Sequence, residues 1–340
     1  MGALAFLAPL CLAAFGQQAS TAAPRVTLSA VGDIRLNGPV GDIIRRSGMK
    51  APSIGVKDLL EADIVFGNLE TSVTDRGEKT PKTWNFRAPS KNLKALQEAG
   101  FTLLNIANNH VWDYGEQGFT DTLAALKKYD FPYIGGGKNL EDVDTPRVIE
   151  AGGLRVGFLG FTSTFPKEAW AKKKKPGVNY SDFERFPGAI AAAKRRCDVL
   201  VVSFHGGTEI AEYPNQIQKD FAHLAVSAGA DLVLGHHPHV LQPVEVYKDK
   251  PILYSLGNFF FVSPSTATRT TVIVKAELTP QGVTRLDFVP VDTNWGSPKA
   301  ADPDGAKTAF AALDRLGALT EHPERFRMVG LEAPPPQKIR

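Results

Sequence analysis

The stretch from Val201 to Phe261 constrains this chain more than any other. Three apolar runs in and around it each empty into polar residues. Val199 to Phe204 runs into His205. Asp231 to Leu234 runs into Gly235, His236, His237 and His239. Ile252 to Leu256 runs into Gly257 and Asn258. Between the first two runs, Ile217 to Ala228 has the spacing of an amphipathic helix. Ligands of open α/β sheets lie beyond the carboxyl ends of the strands. Three strand ends that together carry four of the chain's 7 histidines therefore predict one site.

The same pattern recurs upstream. Arg25 to Val31 is a strand ending in Gly32-Asp33. Ile64 to Phe66 ends in Gly67-Asn68-Leu69-Glu70. Phe101 to Ala107 ends in Asn108-Asn109-His110. Helices are predicted over Pro52–Ala62, Pro89–Glu98 with Gly100 as its stop, Gly115–Tyr129 and Pro187–Lys194. Arg147 to Phe161, with Gly152-Gly153 between two runs, reads as a hairpin. Residues 166–184 read as a long, lid-like loop. After Val240 the strands 241–247, 251–256, 270–278 and 283–289 follow, separated by Gly or Pro turns. The domain is expected over 25–293, followed over 294–340 by a helical appendage around Ala306–Leu319 and a Pro334–Pro336 tail.

With 340 residues, 43% of them hydrophobic, the chain can bury a sizeable core. A net charge of +3 and no basic stripe interleaved with aromatics argue against a nucleic-acid partner. Residues 1–23 read as an export signal. Ala3 to Phe15 is apolar but short for a bilayer span, and Ser20 and Ala22 are spaced like a signal-peptidase site. The departure is the absence of a Lys or Arg before Ala3. Of the two cysteines, Cys11 falls in that leader and Cys197 reads as a small core residue, so no thiolate cage is available.

Asp33, Asn68, Glu70, Asn109, His110, His205, Glu209, His237 and His239 thus cluster at five strand ends. Carboxylate, amide and imidazole together suit a hard-to-borderline divalent ion. On an extended segment, residues two apart point the same way. His237 and His239 are therefore expected to share a pocket while His236 faces away.

VGDIRLNG, GNLETSVTD, FRAPSKNLKALQEAGFTLLNIANNHVWDYGEQGFTDTL, YIGGGKNLEDVDTPRVIEAGGLRVGFLGFT, HGGTEI and GADLVLGHHPHVLQPVEVYKDKPILYSLGNFFF follow one another from Val31 to Phe261. In these segments the chain resembles the CapA family of capsule and poly-γ-glutamate biosynthesis proteins, relatives of the calcineurin-like metallophosphoesterases. The resemblance implies an α/β fold of two packed mixed sheets flanked by helices, with metal bound at the strand ends. It implies that Asp33, Glu70, Asn109, His205, His237 and His239 hold one or two divalent ions (Mn, Fe, Zn or Mg), with Glu70 where a bridging Asp is expected. It makes His110 a proton donor or substrate-orienting group, with Asp113 beside it if the loop allows. Asn68, Glu209 and Asn258 are placed with the substrate pocket, and Arg87 as a grip for phosphate or carboxylate. The superfamily's first motif reads Asp, any residue, His. Here it is Asp33-Ile34-Arg35, and a guanidinium cannot ligate a metal. Arg35 either grips an anionic substrate or points into solvent.

Two functions are compatible with these residues. One is a metal-dependent hydrolase of phosphoesters or of γ-glutamyl amides. The other is a non-catalytic protein that binds or assembles an anionic polymer through the same pocket. Partners implied by the resemblance are that polymer or a phosphoester, and membrane-bound polymer synthase or export proteins.

Overall fold

The computed structural model describes residues 23–330. The predicted leader up to Ala22, Cys11 within it, and the Pro334–Pro336 run lie outside the described residues. Among the described residues, no helix is long and apolar enough to cross a membrane.

Two mixed sheets pack face to face. The first runs in the order Lys299–Ala300, Gly282–Asp292, Thr270–Thr279, Val26–Ile34, Ile64–Leu69, Leu103–Asn105, Tyr133–Ile134, with Phe326–Met328 also pairing on Gly282–Asp292. The second runs Val244–Tyr247, Lys250–Leu253, Leu232–His236, Val199–His205, Leu154–Thr162, Arg147–Ala151. In each sheet the central strands are parallel, and the pocket lies beyond their carboxyl ends.

Strand side chains alternate between faces, and here both faces are apolar. Leu28, Phe66, Leu103, Phe158, Val201 and Leu234 meet between the sheets. Val65, Leu69 and Leu104 face out onto the helices Gly38–Ser47, Leu93–Ala99 and Gly115–Lys128. Leu200, Val202 and Val233 face out onto Phe186–Lys194 and Gln216–Ser227. A strand buried on both faces reads as a continuous apolar run, as Val199–Phe204 does. Each fully buried large apolar side chain contributes roughly 1.5–3 kcal/mol. Buried Cys197 is one of the outer-layer core residues, as expected.

Several expectations change in detail. Pro52–Ala62 is a single turn, Ala51–Ser53, and a four-residue helix, Lys57–Leu60, rather than one helix. Leu93–Ala99 stops at Gly100, which has φ 95°. The 166–184 loop carries a short strand, Gly177–Val178, paired with Gly136–Gly137, and stacks Trp170 on Tyr180 with ring centroids 3.5 Å apart. Helix Pro303–Leu313 and strand Phe326–Met328 pack Ala309, Leu313, Phe326 and Met328 into the inter-sheet core.

Candidate metal centre

The first strand bulges between Ala30 and Asp33 in its pairing with Ile64–Leu69. A one-residue slip moves every later side chain to the opposite face. Leu28 and Ala30 face the other sheet, yet Ile34 lies on the outer core. The bulge thereby turns Asp33 inward, toward the second sheet's histidines. Two backbone bonds hold it there: Asp33 N–H donates to Gly257 O (2.9 Å), and Phe259 N–H donates to Asp33 O (2.8 Å). The approach demands glycine before it, because a Cβ on Gly32 would lie 1.9 Å from Gly257 O.

The ligand-type atoms form two groups that share one residue. Glu70, His205 and His237 make one, and Asp33, Glu70 and His239 make the other, with each group's donor atoms within 4.8 Å of one another. His205 Nε2 lies 2.8 Å from Asn109 Oδ1 and 3.4 Å from Glu70 Oε1. His239 Nδ1 lies 3.2 Å from Asp33 Oδ2 and 4.0 Å from Glu70 Oε2. All the sequence-predicted metal residues are therefore brought together, with Glu70 common to both groups.

The route by which two of them arrive differs from the extended segment expected. The strand ends at His236, and His237 (φ 97°) and His239 (φ 60°) both take positive φ. Such backbone costs about 1–3 kcal/mol per non-glycine residue, and it persists where surrounding contacts enforce it. His236 does not face away either. It is buried beside Phe66, with Nδ1 3.6 Å from Asp33 Oδ1.

Burial and charge divide the pocket. Burial lowers the pKa of His205 well below its ordinary value, that of His237 to about 3 and that of His236 to about 4. Burial opposes protonation of His239 too, but the charge of Glu70, the hydrogen bond to Asp33 and the charge of Asp33 raise it to about 10. Burial and the neighbouring Asp33 push Glu70 well up. Burial works against ionisation of Asp33 as well, but the His239 hydrogen bond and charge hold its carboxyl below the usual range.

The residues fit a divalent cation. Neither carboxylate oxygen of Glu70 nor Nδ1 of His237 has a hydrogen-bond partner, although all three atoms are buried. An unpaired buried carboxylate is costly, and a cation between the two groups would satisfy it.

Beside this set, His110 Nδ1 lies 2.7 Å from Asp113 Oδ2, so the expected pair forms. Asp113 is fully buried, and Lys82 Nζ sits 2.5 Å from its other oxygen. The Phe86 ring stacks on His110 with centroids 3.8 Å apart. Burial lowers the His110 pKa against the opposing pull of Asp113. The sequence reading missed Lys82 and Phe86, because a lysine in a polar loop reads as solvated. It also passed over Asn105, inside the predicted strand Phe101–Ala107, and Asn108 at its end. Both donate to Asn68 Oδ1, at 2.8 and 3.2 Å. Asn108 Oδ1 accepts from the N–H groups of His110 and Val111, which sets the loop that presents Asn109 and His110.

Four residues placed with the substrate stand elsewhere. Asn68 is fully buried; its amide nitrogen is 2.8 Å from Asp33 Oδ1 and 3.1 Å from His205 Nδ1, so it orients ligands from beneath. Asn258 does the same for His239, its Oδ1 2.9 Å from Nδ1. Arg87 is exposed and lies over Tyr114 at 4.4 Å. Strand alternation turns Phe86 into the site and Arg87 out of it. Glu209 is exposed at the rim, where its charge still raises the pKa values of Glu70 and His239. Arg35 does not point freely into solvent. Its guanidinium lies 4.0 Å over the Phe86 ring, and Nε donates to Asn37 Oδ1 (2.8 Å). Burial lowers its pKa, partly offset by the charge of Glu70.

The model of the family described as bacterial capsule synthesis protein PGA_cap matches residues 27–263. The capsule biosynthesis protein CapA of Bacillus anthracis is 39% identical over 284 residues, covering 81% of this chain and 69% of that protein. The PGA biosynthesis protein CapA of Bacillus subtilis strain 168 is 36% identical over 286 residues, covering 83% of this chain and 75% of its own. Among solved structures, a calcineurin-like phosphoesterase of Bacillus subtilis aligns with a TM-score of 0.43 at 14% identity, covering 82% of this chain and 88% of that one, a likeness too distant to carry a role. The family match spans every pocket residue from Asp33 to Asn258, and the chain belongs to the bacterial capsule synthesis protein PGA_cap family.

Proposed function

We propose that the protein is a metal-dependent hydrolase working in the production of an anionic capsule-type polymer, on a phosphoester or a γ-glutamyl amide bond. The observation that carries the reading is Glu70. It is fully buried, lacks hydrogen-bond partners and is shared by two ligand groups, and the His110–Asp113 pair stands beside it. A pocket that only bound a polymer would need no proton carrier next to its ligands.

A divalent ion held by Glu70, His205 and His237, with Asn109, or by Asp33, Glu70 and His239, would acidify a water and polarise the scissile centre. The chain's own residues supply the rest. Asp113 fixes His110 in the tautomer with hydrogen on Nδ1, which leaves Nε2 to exchange a proton with the reacting group. Arg35, held on Phe86, offers a fixed positive charge to a phosphate or carboxylate. The names of the relatives, capsule biosynthesis and PGA biosynthesis, support a capsule-type polymer; membrane-bound synthase or export proteins as partners belong to the proposal alone. Export through the 1–23 leader belongs to the same proposal, and N-terminal sequencing of protein from its native host should give a start near Ala23.

The test is metal analysis of purified protein with an activity screen over phosphoesters and poly-γ-glutamate. His110→Asn should keep its metal and lose turnover, by about 100- to 10,000-fold for a proton carrier. Metal-loaded wild type that turns over neither substrate class would contradict hydrolysis in favour of polymer binding.

A further inference from the structure

We infer that Lys82 is a positioning residue that joins the His110–Asp113 pair and the ligand Asn109 into one unit, an inference that rests on the hydrolytic reading for its catalytic consequence. Lys82 comes from the polar loop that follows Ser72–Val73, far in sequence from the residues it touches. Its ammonium is 2.5 Å from Asp113 Oδ1 and donates to Asn109 O at 2.8 Å. The loop is tied to Asp113 at both ends. Thr80 N–H donates to Asp113 O (2.9 Å), and Phe86 N–H donates to Asp113 Oδ2 (2.5 Å), the oxygen that also takes His110 Nδ1. Asn85 holds the intervening turn closed through Thr80 O and Lys82 O.

Each contact has a separate consequence. Asp113 is wholly buried, so its charge needs a nearby counter-ion, and Lys82, about three-quarters buried at its side chain, is that ion. The ammonium is ion-paired at Oδ1 and holds the carboxylate in the orientation in which Oδ2 accepts from Nδ1–H of His110. The bond to the Asn109 carbonyl anchors the same ammonium to the backbone of a metal ligand. His110 and Asn109 are then kept at a fixed separation, and small displacements of a proton carrier are expensive. The Phe86 stack, with Arg35 on the ring, restrains the plane of the imidazole but not its tautomer.

The test is nitrogen-15 NMR of histidine-labelled, zinc-loaded protein, with the His110 signals assigned by their loss in His110→Gln. Wild type should show a slowly exchanging His110 Nδ1–H. Lys82→Met and Lys82→Gln should both lose it to exchange or tautomer mixing, and Lys82→Arg should restore it in part. The His223 signals, from the distant pair with Glu245, report folding in each variant. An unchanged Nδ1–H signal in folded Lys82→Gln or Lys82→Met would overturn the inference. On bis(p-nitrophenyl) phosphate, Lys82→Met should lower kcat by about 10- to 100-fold with KM within about twofold and zinc content unchanged. If wild type does not hydrolyse that probe but the NMR change occurs, the hydrolytic reading suffers and the positioning role stands.

Discussion

The two halves of the pocket share Glu70 and differ in almost everything else. On the His205 side, His205 and His237 are neutral imidazoles, pushed down by burial, next to a neutral Asn109 oxygen. On the Asp33 side, His239 carries a proton between two carboxylates and takes the place a cation would fill. Arg35 and Lys82 each add a positive charge that reaches the shared Glu70. The same ligand types therefore present different barriers. An ion entering the His205 side meets imidazoles that are already free of protons. An ion entering the Asp33 side must first expel the His239 proton. The difference teaches that ligand identity alone does not rank two metal positions, and that the charge already stored among the ligands decides the order of filling.

The largest way to break the comparison is to remove what the halves share. Glu70→Gln should abolish both ions, with affinity falling at least about 100-fold on each side, the upper end of what even an outlying supporting contact costs. Elemental analysis after dialysis checks it, and retention of one full equivalent would show that Glu70 serves only one side.

The next effect is pH. The His239 pKa near 10 means that this side is protonated throughout the neutral range, so each ion bound there releases about one proton and binding weakens as pH falls. The His237 pKa near 3 leaves that imidazole neutral over the same range, so on the His205 side the proton to be released is only that of the shared Glu70, which burial and Asp33 push up. Calorimetric titration at about pH 6 and about pH 8, in buffers of different ionisation enthalpy, reads the released proton directly. Equal proton release from both sides would remove the distinction.

Smaller changes sharpen it. Among the ligands the Asn258 side chain hydrogen-bonds only His239, so Asn258→Ala should weaken the Asp33 side about 10- to 100-fold and spare the other. Asn68 touches both Asp33 and His205, so Asn68→Ala should weaken both. Smaller still, Arg35→His removes a charge and adds a donor, and should strengthen the Asp33 side by about tenfold, the effect of one partly screened charge nearby.

Much of this site could be read in the sequence, because strand ends announce themselves. Asp33, Glu70, His205, His237 and His239 each follow an apolar run, and an apolar run can be seen without a partner. What remained hidden depends on contacts between distant segments. The bulge that turns Asp33 inward shows only in the register with Ile64–Leu69. The left-handed backbone at His237 and His239 overrides the period-two rule that brought them together on paper. Lys82 looks like any loop lysine until the loop folds onto Asp113. Phe86 faces the site in place of the expected Arg87, because one position at the start of the two-residue strand Arg87–Ala88 decides which side chain turns inward. The layered fold was legible for the opposite reason, since its two-faced apolar strands repeat often enough for the pattern to outweigh any one error.

The most direct measurement is a metal titration of wild type, His205→Ala and His239→Ala at one pH near 7, following bound ion per chain. The account predicts two unequal steps in wild type, with the tighter lost in His205→Ala and kept in His239→Ala. Two equally tight ions in wild type, or loss of the tighter ion in His239→Ala with its retention in His205→Ala, would contradict it.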